Sequence, residues 1–386
     1  AIFEVAVIDA AANALLDPEL AKQVKIVRPE ATEPGYNLKD LRLNEGCVGA
    51  IVQQNAASLW PYKLVCWVLE TLLAGFPVQK SKDAEGTSSK PTFNIQTLTP
   101  VTSISPSKSG SGMGWWLQTP RGAIAADQVL LCTNAYTSHL LPSMTDLIIP
   151  VRGQMSALKP PKTVSEQPLS GKYSYGFVGN ANHTSKQDDY LVQRPFTEGE
   201  GGELMFGGGR GAATAFGMPS YRNGDDSHID DTVAKYLRTS LNNELDLTEE
   251  GHENEGKELK ATHEWSGIMG YSRDGYPWVG QVPQEMLEDG RGGLFLCAGF
   301  TGHGMANASL AARWCAQHML RGGAHFKINT YGKGEEDVEV LRKGDKDGKE
   351  KVRLPEEMVI SEERRERAMG YLAVQVVDLM EDDLHL

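Results

Sequence analysis

The sequence predicts an α/β protein with two lobes, one built from strand–helix units and one of α+β character. Three observations support this prediction. The chain has 386 residues, which is enough for two hydrophobic cores. Near the C-terminal end, the apolar strand Gly293–Gly299 runs through a glycine-rich turn into a helix. Residues 150–290, by contrast, mix strand and helix signals without a βαβ rhythm.

The first third of the chain contains one strong helical signal. Apolar side chains recur three and four residues apart over Leu64–Phe76, which predicts a helix. The polar stretch Lys80–Lys90 follows it and predicts a surface loop. The other elements predicted before residue 135 are a strand at Glu4–Ile8, a helix at Pro18–Val24, and strands at Phe93–Ile104, Trp115–Thr119 and Asp127–Cys132.

The middle and the end of the chain differ in character. The middle predicts one helix, Asp230–Leu245, and the strands Tyr173–Val178, Asp189–Arg194 and Glu203–Gly208. Beyond residue 325 the chain is heavily charged. Lys333–Lys351 predicts a solvated loop there, and Ser361–Met380 predicts a surface helix.

Composition excludes several classes of function. The net charge is −13, and an acidic surface of that size argues against nucleic acid as a main partner. No apolar run approaches the length of a membrane span, and the N-terminal residues lack the basic region of a signal peptide. The five cysteines form no C-x-x-C pair, which predicts free thiols, no metal site and an intracellular protein. We expect the cytoplasm, and mitochondrion or peroxisome fits the cysteines too.

Three glycine clusters invite comparison with ligand-binding loops. Gly110–Gly114 lies between two strand signals, and no helix follows it, so a hairpin turn is predicted. Gly207–Gly211 follows a strand and precedes a poor helical segment. A crowded loop near a ligand and a purely structural turn are equal alternatives for this second cluster.

The third cluster, Gly299–Gly304, has a strand before it and a helix after it. Glycines let the backbone approach another group closely, and a helix start offers unpaired N–H groups with a partial positive charge. This pattern is typical of a turn that contacts a ligand. A tight turn without a ligand, in which His303 acts as a capping residue, is an equal alternative from the residues alone.

A resemblance to a known family favours the ligand-binding interpretation. Gly299–Met305 resembles the C-terminal flavin loop of the D-amino-acid oxidase superfamily of FAD-dependent oxidoreductases, which includes glycine and sarcosine oxidases. The resemblance runs from about residue 46 to residue 325, and two of its segments, Asn55–Pro61 and Leu204–Arg210, are most similar to fungal members of no assigned substrate. The other segments that carry it, in matching order, are Asn55–Pro61, Val129–Tyr136, Pro150–Met155, Leu204–Arg210 and Trp265–Gly280.

The resemblance implies FAD and a Rossmann-like FAD-binding lobe beside a mixed-sheet substrate lobe. Residues 46–149 and 291–325 are expected to form the FAD-binding lobe, and residues 1–45 and 150–290 the substrate lobe. Residues 326–386 are a charged C-terminal extension. Some relatives attach the flavin through a cysteine in the returning segment. Since residues 265–280 contain none, non-covalent FAD is expected.

The start of the chain departs from the family pattern. The family opens with a strand, a G-x-G-x-x-G loop and a helix that hold the pyrophosphate. Residues 1–20 contain no glycine. Three explanations stay open: the chain lacks its N-terminal βαβ unit, a partner chain supplies that unit, or cofactor binding has been lost. In the last case the chain is a cofactor-less remnant or an interaction module that keeps the fold.

The resemblance also implies an activity, which is oxidation of a C–N bond of an amine or amino acid by hydride transfer to flavin N5, with O2 as acceptor. Arg273 and Arg210 are the candidates for gripping an anionic substrate, because a guanidinium holds a carboxylate at two points. A surface turn is an equal alternative for Arg273, and Tyr271 is a candidate pocket residue. No side chain stands out as a general base. The implied cofactor contacts are Val101, Thr133, Asn134, Ala135, Gly299, Phe300, Thr301, Gly302, His303, Gly304 and Met305.

Overall fold

The computed structural model of the chain describes fourteen stretches of residues. These are 24–44, 46–53, 57–77, 91–107, 114–169, 173–178, 188–197, 200–213, 219–247, 258–287, 292–319, 325–330, 334–339 and 354–370. The described α-helices are α1 Pro61–Gly75, α2 Thr137–Leu140, α3 Lys162–Glu166, α4 Asp231–Glu244, α5 Gly304–Met319 and α6 Glu362–Met369. Among them, we find no helix that combines the length and the apolar character needed to cross a membrane.

The described strands are mostly short. In chain order they are β1 Val24–Val27, β2 Ala50–Gln53, β3 Ser103–Pro106, β4 Trp115–Thr119, β5 Gly122–Ala126, β6 Val129–Leu131, β7 Ile148–Leu158, β8 Tyr175–Val178, β9 Asp188–Gln193, β10 Phe196–Thr197, β11 Glu200–Gly201, β12 Leu204–Gly207, β13 Ala261–Ser272, β14 Trp278–Gln281, β15 Leu294–Ala298, β16 His325–Thr330 and β17 Gly334–Glu339. Helices and several sheets thus alternate along the chain, and the predicted α/β class is confirmed.

The chain divides into two compact units. The first comprises Ala1–Ser58 and Val151–Ile268, and the second comprises Leu59–Pro150 and Met269–Leu386. These bounds differ from the predicted lobes at 46–58, which join the first unit because β2 pairs with β1 there. They differ again at 269–290, which join the second unit because β14 pairs with β15. The roles predicted for the two lobes stay predictions.

The first unit is built on a five-stranded sheet. Its strand order is β13-β7-β12-β9-β8, and β12 pairs antiparallel with both β7 and β9. Helix α4 begins at Asp230, whose side chain accepts hydrogen bonds from the backbone N–H groups of Thr232 and Val233. The buried face of α4 belongs to the same hydrophobic core as Leu191 and Phe206 of the sheet. Burial of this shared apolar face is what holds helix and sheet together.

The second unit contains a three-stranded sheet and a three-stranded meander. In the sheet, β15 pairs parallel with β6 and antiparallel with β14. In the meander, β4 pairs antiparallel with both β3 and β5. All five residues of β15 are buried, as expected for the central strand of a sheet that is covered on both faces. Helix α5 follows β15 directly and packs its buried Ala311 and Cys315 into the same cluster as Phe295.

Four sequence-based predictions are changed by the structure. The strand predicted over Phe93–Ile104 is limited to β3, since 91–102 has no regular secondary structure. The loop predicted over Lys333–Lys351 contains β17, which pairs with β16 as a hairpin. The C-terminal helix ends at Met369, and its predicted remainder, 371–380, lies outside the described residues. Of the N-terminal helix prediction, only Val24 is described, and it begins β1.

The strands β3 and β4, which flank the hairpin predicted at Gly110–Gly114, pair antiparallel. Pro106 of β3 lies opposite Trp115 of β4 in this pair. Residues 108–113 themselves lie outside the described residues. The strand predicted at Glu4–Ile8 also lies outside them.

Helix α1 is unusual in its exposure. It is rich in apolar residues, yet it contains no buried residue. Tyr62 is 73% exposed, Val65 is 55% exposed and Trp67 is 58% exposed. Its apolar side chains therefore form a large exposed surface of the second unit.

Candidate functional site

The candidate site is the glycine loop between β15 and α5, in the second unit. β15 ends at Ala298, and the chain then turns through Gly299 and Gly302, which have φ values of 79° and 77°. These values lie in the left-handed region that glycine adopts without a steric cost. The N–H group of His303 donates to the Phe300 carbonyl at 2.8 Å, and α5 begins at the next residue.

Two non-glycine residues of the site also have left-handed backbones. Asn134 has φ 42° and Thr301 has φ 51°. Such conformations are uncommon outside glycine, and they persist where the surrounding contacts fix them. The side-chain oxygen of Asn134 accepts hydrogen bonds from the N–H groups of Gly299 at 2.9 Å and Phe300 at 3.3 Å. Asn134 therefore joins the end of β6 to the end of β15, which are parallel neighbours.

A third segment, the end of β13, completes the site. The N–H group of Thr301 donates to the Gly270 carbonyl at 2.9 Å. A Cβ atom at Gly270 would lie 2.7 Å from the Asn134 side-chain oxygen and 2.8 Å from the Ala135 nitrogen. These distances are shorter than van der Waals contact, so the packing requires glycine at this position. The structure thus brings together Asn134, Ala135, Gly299 and Thr301, which the sequence had nominated separately.

The start of α5 is open to solvent. Gly302 and His303 are exposed, and Met305 is 69% exposed. Around the Cβ position of Gly302, the nearest atoms are the Met269 sulfur and the Tyr271 hydroxyl oxygen, both at 3.8 Å. Side chains of the described residues therefore do not fill this end of the helix, where unpaired N–H groups carry a partial positive charge.

His303 is bound to its own loop. Its Nδ1 atom lies 2.7 Å from the Thr301 carbonyl oxygen. Because a carbonyl can only accept, Nδ1 must carry the proton in this hydrogen bond. His303 therefore holds the turn through this hydrogen bond, and its predicted flavin contact stays a prediction.

Val101, Thr133 and Ala135 lie in the same unit as the glycine loop. The Val101 carbonyl accepts a hydrogen bond from the Tyr136 hydroxyl at 3.3 Å, and the hydroxyl oxygens of Thr133 and Thr137 lie 2.9 Å apart. These contacts fix the segment that carries Asn134. The structure gives contacts with the glycine loop for Asn134, and the predicted roles of Val101 and Thr133 stay predictions.

The two candidate substrate arginines belong to different units. Arg273 follows β13 in the second unit, where its guanidinium approaches the Asp146 carbonyl at 3.4 Å and its backbone N–H donates to Leu147 at 2.9 Å. Arg210 lies in the first unit and pairs with Asp188 at 3.6 Å. Both side chains are half-buried. Their predicted role in gripping a substrate stays a prediction, as does the role of Tyr271.

Protein atoms account for the crowding at Gly207–Gly211. A Cβ atom on Gly208 would lie 2.0 Å from the carboxylate of the buried Asp189. That carboxylate accepts hydrogen bonds from Gly209 N–H at 2.6 Å and from the Tyr236 hydroxyl at 2.5 Å. Burial, together with the nearby Asp189, raises the pKa of Tyr236. Contacts within the protein therefore explain the glycines of this cluster, as expected for a structural turn.

All five cysteines are free, and Cys47, Cys297 and Cys315 are buried. Burial raises the pKa of the Cys297 thiol to about 12. Cys132, which precedes the Asn134 segment, is exposed. Among the described residues, no group of three or more histidine, cysteine and acidic side chains is arranged to hold a metal ion.

A family model for FAD dependent oxidoreductases (DAO) matches residues 5–318. The chain belongs to this family. The match covers the glycine loop, the Asn134 segment and β13, and it confirms the resemblance found in the sequence. No curated protein matches the chain.

Solved structures of several oxidoreductases are similar to this chain. Iminodiacetate oxidase from Chelativorans sp. BNC1 is 14% identical with a TM-score of 0.50, over 82% of this chain and 69% of its own. L-proline dehydrogenase from P. horikoshii is 18% identical with a TM-score of 0.44, over 73% and 60%. Glycine oxidase from Geobacillus kaustophilus is 21% identical with a TM-score of 0.39, over 57% and 48%. The chain thus spans about half the length of that glycine oxidase.

The site fits one end of FAD. An open helix start with glycine-lined amides suits an electron-rich ring edge, because the backbone can approach closely and donate hydrogen bonds. The sequence contains no G-x-G-x-x-G segment to hold a pyrophosphate. The fit therefore concerns the ring end of the cofactor.

Proposed function

We propose that this chain is an FAD-dependent oxidoreductase that oxidises a C–N bond of an amine or amino acid, with O2 as electron acceptor. The observation that carries the proposal is the solvent-exposed start of α5, which Asn134 and Gly270 hold in place through the glycine loop. Membership of the FAD dependent oxidoreductase family supports the assignment of the cofactor.

The residues of the loop have a defined task in this proposal. The N–H groups of Gly302, Gly304 and Met305 would face the pyrimidine edge of the flavin, where negative charge collects on reduction. When bound, FAD supplies the atom that accepts the substrate hydride. Because Asn134 and Gly270 fix the backbone of the loop beforehand, its donors need no rearrangement when charge develops.

Substrate binding is assigned to charged and aromatic side chains. Arg273 or Arg210 would hold a substrate carboxylate, since a guanidinium offers two parallel donors to it. Tyr271 would line the pocket, and its hydroxyl lies 3.8 Å from the Cβ position of Gly302. No described residue is assigned as a general base, because a neutral amine can lose hydride without one.

Titration of the purified chain with FAD tests the proposal. The expected result is quenching of flavin fluorescence and a flavin absorbance band in the isolated complex. Replacing His303 with alanine should then shift the absorbance or the potential of the bound flavin, because His303 holds the Thr301 carbonyl within the loop. His318→Ala is the matched control, since His318 lies in the last turn of the same helix. Identical spectra for wild type and His303→Ala would contradict the role of His303.

The alternative is a family member that keeps the fold and has lost the cofactor. The G-x-G-x-x-G loop holds the pyrophosphate in the family, and the given sequence contains no such segment, so FAD uptake is the measurement that separates the two candidates. A colourless protein that takes up no added FAD would support this alternative and contradict the enzyme. A partner chain that restores FAD uptake when mixed with this one would instead support the enzyme.

A further inference from the structure

We infer that Arg364 is a positioning residue for the glycine loop Gly299–Gly304 and acts on it through Asp274, Ser272 and Thr301. Arg364 lies on α6, beyond the region that the family model matches. The inference depends on the proposed function for its effect on flavin. Its mechanical part concerns residues of the second unit alone.

Arg364 is one of the largest fully buried side chains among the described residues, with 1% of its surface exposed. Its guanidinium donates from Nε to Asp274 Oδ2 and from Nη2 to Asp274 Oδ1, both at 2.9 Å. It also donates to the carbonyls of Pro277 at 3.0 Å and Tyr276 at 2.7 Å. The planar guanidinium lies 3.7 Å from the centre of the Trp278 ring. A buried charge is retained only with partners of this quality, so Arg364 fixes the turn 274–277.

Asp274 connects the Arg364 side chain to the end of β13. The Ser272 hydroxyl donates to Asp274 Oδ1 at 2.7 Å, and the same hydroxyl oxygen accepts from the Trp278 ring N–H at 2.9 Å. Ser272 is therefore held from two sides by groups that also contact Arg364. Its backbone N–H then donates to the Thr301 hydroxyl oxygen at 3.0 Å.

Thr301 is the point at which the network reaches the loop. It is buried, its φ of 51° is left-handed, and its N–H donates to the Gly270 carbonyl. A β-branched residue in this conformation is strained and requires contacts that hold it. The carbonyl of the same residue binds His303 Nδ1. A displacement of Ser272 would therefore alter the residue from which the open helix start is built.

The segment that carries Arg364 is itself docked through its backbone. The N–H group of Ile360 donates to the Val279 carbonyl at 3.1 Å, so the segment adds to the edge of β14. The side chain of Ser361 then accepts from the Arg364 backbone N–H at 3.1 Å, as an N-cap of α6. These contacts do not depend on the guanidinium. Replacing it can therefore release Asp274 while α6 stays attached.

Hydrogen exchange of the flavin-free protein tests the mechanical part. In Arg364→Met, the N–H groups of Ser272, Thr301 and His303 should exchange about tenfold faster than in the wild type, because their local opening costs less free energy. Amides of the first-unit sheet should be unchanged. Arg367→Met is the matched control, since Arg367 is an exposed residue of the same helix. A folded Arg364→Met protein with wild-type exchange in the loop would overturn the inference, as would equally fast exchange in Arg367→Met.

Two conservative variants decide the question if Arg364→Met does not fold. Arg364→Lys keeps the charge but lacks the two-pronged geometry, and Asp274→Asn keeps the shape of the acceptor but removes its charge. Both should accelerate exchange at Ser272 and Thr301 while β15 stays protected. Unchanged loop exchange in both variants would limit Arg364 to anchoring the C-terminal segment.

FAD titration separates this inference from the proposed function. If the wild type takes up FAD, Arg364→Met should bind it about tenfold more weakly, which corresponds to about 1.4 kcal/mol, and Arg367→Met should bind it normally. Unchanged FAD affinity in Arg364→Met would remove the functional consequence. A wild type that takes up no FAD would contradict the proposed function, and the exchange experiment would still decide whether Arg364 holds the loop.

Discussion

Asn134 shows how one side chain can organise the end of a sheet. Its left-handed backbone places the side-chain oxygen where the N–H groups of Gly299 and Phe300 both reach it. Asparagine tolerates this conformation better than most residues, because its short polar side chain can bond locally. Gly270 packs against the same side chain. The residue therefore couples three segments that are far apart in the sequence.

Replacing Asn134 with alanine should destabilise the second unit by about 1–3 kcal/mol, since two partly buried N–H groups lose their acceptor. Urea denaturation measures this change. Asn94→Ala is the control, because Asn94 is exposed and its oxygen accepts only from Gln96 among the hydrogen bonds of the described residues. The control should stay within about 0.5 kcal/mol of the wild type. Equal midpoints for the two variants would show that Asn134 is not structurally important.

At the scale of elements, β15 and α5 are the best-predicted part of the chain. The apolar run before Gly299 and the small-residue helix after it are evident in the sequence, and both are present at Leu294–Ala298 and Gly304–Met319. Local pattern sufficed because each element is contiguous. The family resemblance assigned Asn134 and Gly299 to one cofactor site, but their contact comes from the structure, since no periodicity connects residues this far apart.

The burial of Arg364 was not predicted from the sequence. It lies in a charged stretch, Glu362–Arg367, whose pattern predicts a solvated helix. The structure buries one arginine of that stretch against Asp274, while Glu363 and Arg367 stay exposed. A lone charge among many carries no signal of burial, because the carboxylate that compensates it lies 90 residues away. The Asp274 partner was visible only as a neighbour of Arg273.

Cys297 of β15 and Cys315 of α5 are buried thiols, and their ionisation at alkaline pH should destabilise the fold. Burial raises the pKa of Cys297 to about 12 and that of Cys315 to about 11, from the ordinary value of 9.0 for a thiol. The contribution of each raised pKa to the stability of the fold is complete below pH 9. This stabilisation is lost as the pH rises towards the folded values, because the unfolded thiols ionise first.

The free energy of unfolding should therefore fall above pH 9 more steeply in the wild type than in a Cys297→Ala/Cys315→Ala variant. The difference is about 1.4 kcal/mol per pH unit and per thiol that stays protonated only in the folded state. Urea denaturation between pH 8 and pH 11 measures both slopes. Ala311→Gly, at a buried position of α5 without a thiol, is the control; it should lower the free energy of unfolding but keep the wild-type slope. Parallel slopes for the wild type and the double variant would contradict the assignment.

At the scale of the whole molecule, the two compact units differ in what they leave exposed. The core of the first unit joins its sheet to α4 and to β1 and β2. In the second unit, the described helix α1 remains outside the cores, although its sequence is the most apolar of the longer helices. Large exposed apolar surfaces are uncommon on monomeric proteins and favour association.

Helix α1 thus yields a prediction about the chain as a whole. Val65 is 55% exposed, so replacing it with lysine removes apolar surface from water without opening a cavity. Lysine also has a slightly higher helix propensity than valine. Val65→Lys should leave the free energy of unfolding within about 0.5 kcal/mol of the wild type and should reduce the binding of a hydrophobic dye. Val279→Lys, at a buried position of β14, is the opposite case and should prevent stable folding.

The outcome at Val65 distinguishes an exposed surface from a covered one. If lysine there costs more than about 2 kcal/mol, the face of α1 must be buried against another part of the protein or against a second molecule, because exposed substitutions do not reach that magnitude. Concentration dependence then separates the two cases. A loss that shrinks on dilution indicates association between molecules, because the wild type then also loses the partner that stabilises it. A loss that is independent of concentration places the covering group in the same chain.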